Sequence, residues 1–66
     1  MNAYQRRSVQ RVRPAVAKVV RREGCDEKSA VRDMLTDIRH YCEAEGINFY
    51  KAAKGAYEVY LEERNA

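Results

Sequence analysis

Sixty-six residues leave room for one domain, and a chain this short buries only about 60% of its unfolded surface, so its core is marginal. No apolar run approaches the roughly 18 residues of a membrane span. One histidine and two cysteines fall short of the four convergent ligands of a structural zinc site. The formal charge is +3, from 13 cations and 10 carboxylates, and it is unevenly spread. Arg6, Arg7, Arg11, Arg13, Lys18, Arg21 and Arg22 face only Glu23 within residues 1–23, a local balance of +6. Residues 24–66 hold six cations and nine carboxylates, a balance of −3. Such asymmetry points to a surface that meets something negative.

The first segment, residues 1–23, keeps Val9, Val12, Val16, Val19 and Val20 at helical spacing across Pro14. A proline inside a helix removes one hydrogen bond and crowds the preceding turn, and it pushes Arg13 toward extended geometry. Two models follow. Either a flexible basic arm precedes a helix that starts at Pro14, or one helix kinked at Pro14 runs from about Tyr4 to Arg22. The unbroken valine period favours the kinked helix. Gly24 ends the segment in both.

The second segment is predicted helical over 26–45. Val31, Met34, Leu35, Ile38, Tyr41 and Cys42 fall on one stripe about 120° wide, which reads as the core face. Asp26 is the N-cap candidate, with Ser29 as its rival. Gly46 stands where a left-handed residue would close the helix. The third segment, 48–63, starts at Asn48, a second N-cap candidate. Phe49, Ala53, Ala56, Tyr57, Tyr60 and Leu61 make its apolar face, widened by Tyr50, Ala52 and Val59. Lys54 and Glu58 are spaced for an ion pair. Gly55 either admits a close helix contact or is tolerated at some cost. The short connection at Gly46 predicts an antiparallel hairpin. The expected fold is therefore all-α: a helical hairpin plus a basic N-terminal helix, in a single domain spanning 1–66.

Little in the chain suggests catalysis. His40 points about 160° away from Cys42 on the helix wheel, so the two cannot ligate one ion from that helix. Cys42 reads as a small buried hydrophobe, and Cys25 as a residue of a cap region. The carboxylate pairs Asp33/Asp37 and Glu62/Glu63 lack an enclosing pocket to tune them. No phosphate loop or nucleophile elbow is present. The expectation is a binding protein, not an enzyme, with no cofactor and no metal.

Two surfaces are candidates for binding. On a continuous first helix, Arg7, Arg11, Lys18 and Arg22 project within a band about 60° wide and about 22 Å long. This ridge could follow a phosphate backbone with little base contact, or meet an acidic protein. Tyr41, Tyr50, Tyr57 and Tyr60 are the second set, since aromatics with a polar tip favour protein interfaces. The apolar arc of the last helix, about 200° wide, exceeds what one neighbouring helix covers. The first helix or a second copy of the chain could cover the surplus, the latter giving a homodimeric bundle. No membrane partner is expected, because the valine face lacks the leucine, phenylalanine or tryptophan of interfacial anchors.

The run Met34-Leu35-Thr36-Asp37-Ile38-Arg39-His40-Tyr41-Cys42, then Gly46-Ile47-Asn48-Phe49, then Ala56-Tyr57-Glu58-Val59-Tyr60-Leu61-Glu62-Glu63 resembles short uncharacterised proteins of phages, prophages and plasmids. Those carry a similar L-T-D-hydrophobic-R-H helix, a glycine turn and a closing helix ending near Y-x-E-E. The resemblance implies the same helical hairpin and a mobile-element accessory protein in a bacterial cytoplasm. It implies no activity. Leu35 and Ile38 fit as core, and Asp37 would pair at the surface with His40 or Arg39. The polar N-terminus, with no apolar run behind it, predicts no signal peptide, and two reduced thiols fit the same compartment. A protein-interaction module leads as the expected function, with a nucleic-acid-binding accessory factor as the alternative.

Overall fold

A computed structural model describes residues 1–66 as three helices: α1 (Ala3–Glu23), α2 (Glu27–Ala44) and α3 (Phe49–Arg64). The fold is all-α, and each boundary has a local cause. Asp26 wins over Ser29 as N-cap of α2: its carboxylate accepts the Ser29 backbone N–H at 2.8 Å. Asn48 caps α3 in the same way, accepting from the Lys51 N–H at 3.0 Å. Gly24 (φ 63°) and Gly46 (φ 68°) occupy the left-handed region where a side chain would be strained. At the second of these the Ile47 N–H reaches the Cys42 carbonyl and the Gly46 N–H reaches Glu43. That is the paired-bond pattern by which a glycine reverses a helix.

The first helix is continuous through Pro14 and begins eleven residues before it, at Ala3. The flexible-arm model is thereby excluded. Pro14 lies on the side of α1 opposite the valines, and both it and Gln10, whose carbonyl it leaves unbonded, are exposed. Water can satisfy that carbonyl, so the proline costs less here than inside a core.

Asn2, which the sequence pattern did not bring forward, closes the fold. Its Oδ1 accepts the Gln5 N–H at 3.0 Å while the Gln5 side chain accepts the Asn2 N–H at 3.1 Å. This reciprocal pair caps the start of α1. The Asn2 Nδ2 then donates to the carbonyls of Glu63 (2.7 Å) and Arg64 (3.1 Å). One side chain thus satisfies an orphan donor of α1 and bonds two last-turn carbonyls of α3, of which Glu63 also accepts the Ala66 N–H at 3.3 Å. The helices therefore meet end to end: α1 with α2 at Gly24, α2 with α3 at Gly46, and α3 with α1 at Asn2.

This closed loop has a flattened shape of 36 × 28 × 15 Å. Contact between α1 and α2 is the most extensive, and the hairpin pair α2 and α3 is the lightest. The three buried residues, Val19, Ala30 and Cys42, lie toward the Gly24 and Gly46 reversals. The middles of the helices carry none. Gly55 brings nothing close: a Cβ there would meet no atom within 4 Å, so it is tolerated and enables no tight contact.

Candidate interaction surface

The stripe that sequence periodicity assigns to the core is largely uncovered. Val12 is 51% exposed, Val31 47%, Leu35 54% and Ile38 49%. Leu35 and Ile38 are thus not core residues of this chain on its own. The periodicity identified the apolar face correctly, but no neighbouring helix lies across its middle. Only Cys42 on that stripe is buried, as expected, while Met34 is partly covered.

Total accessible surface makes the same point. The chain exposes 5709 Å², whereas a folded monomer of 7.7 kDa exposes about 4,300 Å² by the usual mass scaling. The excess is about 1,400 Å². Two shallow grooves open on the apolar side of the helices. The larger, about 880 Å³, runs along α1 and is lined by Val9, Val12, Val16, Ala17 and Val20, with Val31 of α2 on its far wall. A smaller one carries Val31, Leu35, Arg39 and Phe49. Val31 belongs to both, so the apolar residues of α1, α2 and the start of α3 adjoin, interspersed with Arg13, Arg21, Lys28 and Arg32.

The four tyrosines are all exposed, between 47% and 68%, but they do not form one cluster. Tyr57 and Tyr60 stack with ring centroids 6.1 Å apart. Tyr50 sits at the α2–α3 corner, edge-on to Phe49 at 5.9 Å. Tyr41 makes no ring pair. Arg39, expected beside Asp37, instead lies over the Phe49 and Tyr50 rings at 5.4 and 5.0 Å and donates to the Tyr50 hydroxyl. Neither Asp37–Arg39 nor Asp37–His40 pairs at the surface. Lys54 and Glu58 do not reach each other either. A charge laid on an aromatic face keeps its other side hydrated, which an exposed ion pair rivals only weakly.

Arg7, Arg11, Lys18 and Arg22 share one side of the continuous α1, and all four are exposed. Ion pairs in the molecule are confined to sequence neighbours, Arg22–Glu23 at 2.9 Å and Arg32–Asp33 at 3.5 Å. Arg7 lies over the Tyr4 ring at 5.1 Å, and Arg11 donates to the Ser8 hydroxyl at 3.2 Å. The acidic remainder of the chain therefore does not neutralise the ridge. The ridge points away from the valine groove, so α1 offers charge on one side and apolar surface on the other.

No group of three or more His, Cys, Asp or Glu side chains converges in the fold, and both cysteines are free thiols. Asp26 is the one titrating group clearly displaced. The Ser29 backbone N–H holds its carboxyl below the ordinary carboxylate range, helped by the Ser29 side chain and by Arg32 nearby. The cause of the displacement is thus helix capping. No helix is long and apolar enough to cross a membrane. Comparison with protein-family models, curated proteins and solved structures finds no match. The chain's own surface is what bears on its function.

Proposed function

We propose that this protein is a non-enzymatic interaction module that binds another polypeptide through the apolar band of α1, α2 and the start of α3. The observation that carries this reading is the uncovered middle of the band, with Val12, Val31, Leu35 and Ile38 each about half exposed. Isolated exposed hydrophobes are ordinary, but a contiguous patch beyond a few hundred Å² marks a docking surface. Tyr50 and the Tyr57–Tyr60 stack are further exposed residues of a type suited to interfaces. The phage-like hairpin pattern supports a role as an accessory protein of a mobile element in a bacterial cytoplasm. Copurification from the native host, with and without nuclease, tests the reading against a Leu35→Glu variant. A nuclease-resistant partner lost in that variant is expected; a partner that disappears with nuclease and ignores position 35 counts against it.

A second reading has its own support in the ridge, three of whose four cations are unpaired. Arg7, Arg11 and Lys18 have no carboxylate partner, so they are free to contact phosphates. Neutralising about five phosphates gives a log–log salt slope near −4 to −5. Binding to duplex and single-stranded probes at two salt levels measures it, and Arg11→Glu with Lys18→Glu should abolish it without unfolding the chain. Affinity that is absent at low salt removes this reading.

A further inference from the structure

We infer that the occupant of the apolar band is a second copy of this chain, forming a two-fold dimer in which each protomer completes the other's core. This rests on the docking-surface reading above and adds the identity of the partner. Three observations lead to it.

The first is area. Each chain exposes about 1,400 Å² more than a compact monomer of its mass, so two copies that covered this surplus would bury about 2,800 Å². Complexes between independently folded partners bury about 800 Å² on each side, whereas obligate homodimers run from about 2,000 to 5,000 Å². The second is where the buried residues sit. Val19, Ala30 and Cys42 lie near the chain reversals, and none lies mid-helix. A fold held only at its corners needs cover over its middle whenever it is folded. Another copy is the one molecule present at that stoichiometry from synthesis onward.

The third observation is chemical. The two grooves share Val31 and set the valines of α1 beside Leu35 and Phe49, with Arg13, Arg21 and Glu27 also lining the first and Lys28, Arg32 and Arg39 the second. An apolar centre bordered by charged side chains is the usual anatomy of a protein interface. The basic ridge does not oppose the pairing. Arg7, Arg11, Lys18 and Arg22 project from the side of α1 away from the groove. Two protomers joined through their grooves thus keep their basic ridges apart and outward. An isologous contact of this kind closes on itself and does not propagate.

The test uses the unaltered chain. Sedimentation equilibrium and thermal unfolding are followed by circular dichroism from about 1 to 100 μM. A folded dimer dissociating into unfolded chains gains about 10 °C in Tm over that hundredfold range. A dimeric mass with that rise supports the inference. A monomeric mass with a Tm independent of concentration overturns it. Leu35→Glu, on the band, should shift the mass to monomer or leave the chain unfolded, while Arg11→Glu, on the opposite side, should change neither property. Since Leu35→Glu can fail to fold, the concentration dependence of the unaltered chain decides. If that chain is monomeric, binding of an apolar dye separates the two readings. Strong binding leaves the docking surface in place for a different polypeptide, and weak binding removes the docking surface too.

Discussion

Replacing Asn2 by aspartate separates the two caps that this residue serves. The Asn2 side chain accepts one hydrogen bond for α1 and donates two to the last carbonyls of α3. Aspartate keeps the acceptor, and its charge suits the N-terminal end of α1. It cannot donate, and that same charge faces the negative end of α3. Two donated bonds of about 1 kcal/mol each are lost. Partial exposure lets water recover some of this, so the expected loss is about 1–2 kcal/mol. Alanine removes the α1 cap as well, adding about 1 kcal/mol. With a urea m-value of about 1 kcal/mol/M for a chain this small, the midpoint should fall by about 1–2 M for Asn2→Asp. For Asn2→Ala it should fall by about 1 M more. Midpoints are compared at one protein concentration, and amide exchange supplies the location. The last turn of α3 should open in both variants, the first turn of α1 only in Asn2→Ala. An aspartate variant as stable as the parent, or one that loosens both ends equally, would refute the claim that Asn2 ties α3 to α1.

Gly55→Ala should stabilise the chain by about 0.5–1 kcal/mol, because the added methyl meets nothing within 4 Å; a lower urea midpoint contradicts this. The lowered pKa of Asp26 means that its contribution is fully present above the ordinary carboxylate value of about 3.9. That contribution is lost as pH falls through the folded-state value, below that point. Acid titration should therefore fray α2 from its first turn, seen as faster exchange around Ser29 and Ala30, and Asp26→Asn should flatten this dependence. Arg39→Ala should loosen the α2–α3 corner and shift the Tyr50 ring resonances, since the guanidinium spans Phe49 and Tyr50. Asp37→Ala should leave that corner unchanged.

Elements governed by near neighbours could be read from the sequence. Asp26, Asn48 and Gly46 act within one turn of their own position, and each does what its residue type suggests. Asn2 was legible in principle, because Asn-x-x-Gln before an amphipathic run is a capping signature. Its bond to α3 was not, since 61 residues separate the partners. Pro14 was ambiguous because its cost depends on whether Gln10 can be hydrated, which only the orientation of α1 decides. The stripe of Val31, Leu35 and Ile38 illustrates a different boundary. Periodicity shows which face is apolar, but not whether the same chain is long enough to cover it. Arg39 had no local signal pointing to Phe49 and Tyr50, because the corner at Gly46 brings them together.

Solvent exposure of individual methyl groups tests the central claim most directly. A soluble paramagnetic agent relaxes methyl resonances in proportion to their exposure, and Val19 serves as the buried internal reference. In a complex Val12, Leu35 and Ile38 should be shielded like Val19, and in any folded chain of monomeric mass they should relax far faster than Val19. A folded monomer in which those three methyls are as shielded as Val19 would show that the helices cover their own apolar faces, and the proposed binding surface would not exist.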